Sequence, residues 1–135
     1  MPFPITPRGW ALALLCTTAA FLPLQLQAQA EATVDMDLMQ TIEDTNKSLA
    51  SNIALKDAKG SVADAQELAR MFVTVETYFA HKGDALDAVA ISKKSRDLAT
   101  TIVDQIGRKD FDGATNNATA LGRACRECHT FYKKS

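Results

Sequence analysis

From Val34 onward, apolar side chains recur every three or four residues, in four runs separated by short polar or glycine-bearing breaks. Such a period fits helices and does not fit strands. The first run, Val34 to about Asp57, carries Leu38, Ile42, Thr45, Leu49 and Ile53 on one stripe, and Ala58-Lys59-Gly60 interrupts it. Ser61, three before Asp64, is a cap-like start for a second helix. That helix lines up Leu68, Phe72, Val75 and Phe79 and stops at His81-Lys82-Gly83. Asp84 is positioned to cap a third helix with a less regular apolar line of Leu86, Val89, Ala90, Leu98, Ile102 and Ile106. Gly107 ends it, with Arg108 and Lys109 beside the carbonyl end of its dipole. After an Asp110-Phe111-Asp112-Gly113 turn, a fourth helix from Ala114 to Lys133 puts Ala118, Leu121, Cys125, Cys128 and Tyr132 on one face. Four helices of similar length joined by short turns predict an all-α, antiparallel up-down-up-down four-helix bundle. No long internal repeat is evident. The composition agrees: aromatic residues are only 7% of the chain, which favours helices over sheets. A formal charge of -1 excludes the basic footprint of a nucleic-acid-binding protein.

The first thirty residues read as an address. Arg8 supplies a positive start, an apolar stretch follows, and Ala28-Gln29-Ala30 has the small-x-small pattern that signal peptidase cuts. The apolar core, Ala11 to Leu22, is too short for a bilayer, which needs about 20 residues. A cleaved signal peptide over 1–30 and a periplasmic domain over 31–135 are therefore expected. Lipidation at Cys16 is disfavoured by the bulky Leu15 before it. No later segment is apolar enough to span a membrane.

Two cysteines remain, Cys125 and Cys128, with His129 directly after the second. The run Cys125-Arg126-Glu127-Cys128-His129 is the attachment pattern of a c-type haem. Helix geometry gives the reason: i, i+3 and i+4 share a face. Two thiols on that face can form thioethers to the two vinyl groups, and the adjoining imidazole falls under the iron as the proximal ligand. The plainer readings fit less well. A redox dithiol sits at a helix N-terminus, where the dipole lowers the thiol pKa, and this pair lies near a C-terminal end. A structural zinc needs four ligands, and His81 is the only spare histidine.

For the distal side of the iron the candidates are Met36, Met39, Met71 and His81. The first and fourth helices of such a bundle are antiparallel neighbours, so the start of one lies level with the end of the other. Met39, near the start of helix one, is thus level with His129. Met71 lies mid-helix, roughly 15 Å from either end, and reads as core. Met36 is about 200° round the helix from Leu38 and faces away from the core. His81 closes the second helix away from the level of the Met39–His129 pair, as a histidine against the helix dipole. Met39 is the expected ligand; otherwise it is a packing methionine beside Ile42.

The run from Cys125 through Tyr132 to Lys134 resembles the end of class II cytochromes c, the cytochrome c′ group of four-helix haem proteins. The resemblance implies one covalent haem c, with Cys125 and Cys128 as thioether anchors and His129 as axial ligand. Where many members carry an arginine four residues after the histidine, this chain has Lys133. The segment Asp37-Leu38-Met39-Gln40-Thr41-Ile42-Glu43-Asp44 is similar to the part of the periplasmic b-type four-helix cytochrome that supplies its methionine ligand. High-spin cytochromes c′ keep a non-ligating apolar side chain on the distal face, whereas their low-spin relatives place a methionine early in helix one. The likeness favours the low-spin branch.

The expected function is that of a one-electron carrier with His129 and Met39 on its iron, docking with redox partner proteins. The alternative is a five-coordinate cytochrome c′ that binds NO or CO, with Met39 as distal-pocket packing. Relatives of this type pair through their first two helices, so the resemblance allows a homodimer. No enzyme is indicated, because no nucleophile, base and orienting group form a constellation in the sequence.

Overall fold

The computed structural model describes residues 33–132; the expected signal peptide and Lys133 lie outside the described residues. Within them the chain forms four helices and no strand: α1 Met36–Ala54, α2 Ala58–Lys82, α3 Leu86–Gly107 and α4 Phe111–Tyr132. Each helix packs against the next, and α1 also packs against α4 to close a ring with no contact across the diagonal backbones. The topology is the expected antiparallel up-down-up-down bundle, and no helix among the described residues is long and apolar enough to cross a membrane. The core runs along the axis through Ile42, Leu49, Leu68, Phe72, Ile102 and Leu121.

The helix boundaries differ from the sequence expectation at the two outer turns, for one shared reason. Ala58-Lys59-Gly60 is the first turn of α2, and Phe111-Asp112-Gly113 the first turn of α4. In each, a lysine with positive φ (Lys56, 56°; Lys109, 62°) reverses the chain. The aspartate after it then caps the new helix: Asp57 accepts from the Gly60 N–H at 3.0 Å, and Asp110 from the Gly113 N–H at 2.8 Å. The glycines are there for closeness. A Cβ on Gly60 would sit 2.7 Å from both Asn52 Nδ2 and Asp57 Oδ2, and one on Gly113 would collide with Asp110 and Gln105. Neither glycine breaks a helix.

The α2–α3 turn is built differently. Gly83 takes the left-handed conformation (φ 75°) and closes α2, while Asp84 does not cap α3; Ala85 precedes the helix with no side-chain cap. Ala85 is drawn into the core instead, and the inward face of α3 becomes Ala88, Ile91, Ser92, Ser95, Ala99, Ile102 and Ile106, with Leu86 and Ala90 exposed. The expected line was displaced because small residues, which carry little hydropathy signal, occupy the buried face where helices approach closely.

Those two turns belong to a longer correspondence that the sequence did not show. The shift that carries Gly60 onto Gly113 superposes the hairpin α1–α2 on the hairpin α3–α4, with helix ends coinciding at Ala54/Gly107 and Ala58/Phe111. It carries the Asn52–Asp64 hydrogen bond (2.8 Å) onto the Gln105–Asn117 bond (2.9 Å). It also matches the core near the turn residue for residue: Leu49 with Ile102, Ile53 with Ile106, Leu68 with Leu121, all buried. Identical residues are few, so the bundle is a repeat in its architecture and not visibly in its letters.

Candidate haem site

The correspondence between hairpins changes at the far end, where the motif lies. Position by position, Ile42 is matched by Ser95, Met71 by Ala124, Phe72 by Cys125, Val75 by Cys128 and Glu76 by His129. The two cysteines thus occupy the helix face that in α2 is core, and the imidazole takes the place of a carboxylate. In α2 that carboxylate is used: Glu76 pairs with Arg96 of α3 at 2.5 Å, across the most closely packed seam of the ring. The equivalent seam, α4 against α1, is the most open of the four. Cys125 comes within electrostatic reach of Glu43 on α1 across this seam.

Cys125 and Cys128 are unbridged and half-buried, one turn apart, with Cys125 packed against the core. His129, one residue on, is exposed. Burial pushes the Cys125 thiol up from its ordinary value, and the charges of Cys128 and of Glu43 on α1 add to the rise against the opposing backbone hydrogen bond and Arg126. Burial raises Cys128 as well, followed by Glu127. Both thiols are therefore held protonated, the reverse of the activated thiolate that a redox dithiol needs. A neutral thiol suits thioether formation, in which S–H adds across a vinyl C=C with no leaving group.

Glu43 also marks the register of the seam. It acts on Cys125, and one level deeper Asn46 Nδ2 lies 3.9 Å from where a Cβ on Gly122 would stand. Running the same antiparallel register outward by a turn brings Met39 level with His129. Met39 is half-buried and packed against the core. Met71 is buried and Met36 exposed, as expected.

The expectation for His81 needs correction. The topology puts the C-termini of α2 and α4 at the same end as the N-terminus of α1, and the rings of Phe79 and Tyr132 meet across the core there at 5.3 Å. His81 is therefore at the level of the motif and not away from it. It points away from the core all the same, because two residues past Phe79 is about 200° round the helix. Among the described residues no group of three or more His, Cys, Asp or Glu forms a metal cluster, so the zinc alternative finds no ligand set there.

Sequence reasoning missed Glu43, Asn46 and Ser95. The oxygen of Asn46 and the hydroxyl of Ser95 are both buried with no hydrogen-bond partner. Comparison of one hairpin with the other was the signal able to find Ser95, since it stands where an isoleucine is expected.

The residue types present are those a c-type haem would need: two protonated thiols one turn apart on one helix, an exposed imidazole next to them, and a half-buried methionine thioether at the same level on α1. Fold and site define a class, an all-α four-helix bundle with a thiol–thiol–imidazole triplet on its last helix. Compared with protein-family models, with curated proteins and with solved structures, the chain matches none.

Proposed function

We propose that this chain is a periplasmic monohaem c-type cytochrome of the class II kind, acting as a one-electron carrier. The observation that supports this is the sharing of one face of α4 by Cys125, Cys128 and His129, with Cys125 within reach of Glu43 on α1 and Met39 one turn further out on that helix. Cys125 and Cys128 would anchor the haem, His129 would be its proximal ligand, and Met39 the distal one. The haem, when bound, supplies the one-electron redox couple.

What the protein does is hold that couple still. His129 and Met39 come from neighbouring helices of one closed ring, so the bundle would hold both ligands at a fixed spacing before any electron arrives. A thioether ligand favours the reduced iron and raises the potential. Met36, Leu86 and Phe131 are all exposed, at the ends of three helices that meet around this site. Apolar side chains in that position suit transient docking of redox partner proteins.

One observation favours the second reading, a five-coordinate cytochrome c′ that binds NO or CO. Met39 already packs against the hydrophobic core, which is what a non-ligating distal side chain would do. Absorption spectra of the protein, matured in a periplasm with cytochrome c assembly, separate the two. The carrier is expected to be low-spin, with a far-red methionine–ferric band and no response to CO. Met39→Ala is then expected to turn it high-spin and CO-reactive. A wild-type spectrum that is high-spin and shifts under CO assigns the protein to gas binding, and a mature chain with no haem mass rejects both.

A further inference from the structure

Three of the bundle's four seams are pinned by a polar bond between side chains of neighbouring helices. Asn52 donates to Asp64 across α1–α2 at 2.8 Å, Arg96 to Glu76 across α2–α3 at 2.5 Å, and Asn117 to Gln105 across α3–α4 at 2.9 Å. The fourth seam, α1–α4, joins the helices that carry Met39 and His129. One turn inside the motif, Asn46 of α1 stands beside Gly122 of α4, and its side-chain oxygen is sealed from solvent with no hydrogen-bond partner. A buried acceptor without a donor is destabilising, because it loses its water and gains nothing. The sister seam has no use for an amide at this point: the residues equivalent to Asn46, Gly122 and Arg126 are Ala99, Ala69 and Val73.

A donor stands beside that oxygen. Arg126 follows Cys125 and lies four residues after Gly122, so the two share a face of α4. A helical side chain leans toward the N-terminus of its helix, and Arg126 accordingly reaches back over Gly122. Its Nη1 and the Nδ2 of Asn46 each lie 3.9 Å from the place a Cβ on Gly122 would take. With no side chain at 122, guanidinium and carboxamide close on the same bare spot from two helices. As they stand, a donor faces a donor. The two ends of an amide are alike in size, and which one faces a neighbour follows the hydrogen bonds on offer. Half a rotation about the Cβ–Cγ bond of Asn46 puts Oδ1 where Nδ2 stands, on the side of the guanidinium.

We infer that Arg126 donates to the side-chain oxygen of Asn46 and so pins α4 to α1, as the other three seams are pinned. The bond satisfies the buried acceptor and turns the clash of donors into a match. It sets the spacing of α1 from α4 one turn inside Cys125, and through that spacing the reach from His129 to Met39. In the proposed cytochrome Arg126 and Asn46 are therefore positioning residues. That role rests on the proposed function; the bond does not.

The test is a double-mutant cycle in denaturant unfolding of the matured protein, with Asn46→Ala, Arg126→Met and the two together. Methionine keeps an apolar stem over Gly122 and drops the donors. Asn46→Ala is expected to lower the folded-to-unfolded ratio about tenfold in the wild type. In the Arg126→Met background, where the oxygen it removes is unsatisfied, it is expected to cost nothing. Asn46→Asp, which keeps an acceptor, is expected to hold the wild-type ratio. An equal loss in both backgrounds, or a gain from Asn46→Ala in the wild type, overturns the bond. With haem attached, CO binding reads the positioning role. Arg126→Met and Asn46→Ala are each expected to raise the CO-reactive fraction, the double variant no further, and Asn46→Asp to stay at the wild-type level. CO reactivity unchanged by all of them, including from a wild type that already binds CO, overturns that role. A wild type with no haem mass sinks the proposed function alone, since the unfolding cycle still decides the bond.

Discussion

The hairpins α1–α2 and α3–α4 share a turn, a capping aspartate, a close-approach glycine and a cross-helix amide bond, yet they differ where it matters for chemistry. Near the outer turns their cores match position by position, Leu49 with Ile102, Ile53 with Ile106 and Leu68 with Leu121. Toward the other end the first hairpin carries Ile42, Met71, Phe72 and Val75, and the second carries Ser95, Ala124, Cys125 and Cys128. Such a difference teaches how a four-helix frame can be given a site without losing its fold. One half of the core keeps the bundle closed while the equivalent half gives up apolar volume. Burial of a side chain such as Phe or Val is worth about 1.5–3 kcal/mol, so a hairpin that forgoes several of them needs something to take their place. Under the proposed function, a covalently attached haem would do so.

The sharpest way to break the comparison is to make the hairpins alike. Cys125→Phe with Cys128→Val gives the second hairpin the residues of the first. The double variant is expected to carry no haem by mass spectrometry and to stay helical by circular dichroism, since the same residues already pack in α2. Retention of covalent haem would place its attachment elsewhere and undo the site.

A smaller effect tests the half where the hairpins match. Leu68 and Leu121 are both fully buried at equivalent positions. Leu68→Ala and Leu121→Ala are each expected to cost about 3 kcal/mol in denaturant unfolding of the holoprotein. A gap between them of more than about 1 kcal/mol would mean that the two cores are alike in sequence position only.

The smallest effect concerns the turns. Asp57→Ala and Asp110→Ala each remove a cap whose geometry is the same, and each is expected to cost about 1 kcal/mol in the same measurement. If only one of them matters, the shared turn is a coincidence of shape.

Much of this was legible in the letters. The period of Leu38, Ile42, Leu49 and Ile53, and of Leu68, Phe72, Val75 and Phe79, predicted α1 and α2 because long apolar side chains announce a buried face. The inward face of α3 was read only in part: Ile102 and Ile106 are buried and Val89 and Leu98 pack against the core as expected, but Ala88, Ser92, Ser95 and Ala99 announce nothing, because a small residue is buried only if a neighbour comes close. Gly60 and Gly113 read as helix breakers because sequence conveys conformational freedom and not proximity. It took Asn52 and Gln105, folded back against those helix starts, to show what the missing Cβ is for.

By itself, the sequence determined the number of helices, their order and the triplet Cys125, Cys128 and His129, since all three depend on spacing along one chain and a helix turns spacing into a face. Only the tertiary structure decided that Cys125 comes within reach of Glu43 on α1, that His81 ends exposed at the level of the motif, and that Ser95 is buried without a partner. Those are relations between residues far apart in the chain, set by how four helices pack, and no local period encodes them.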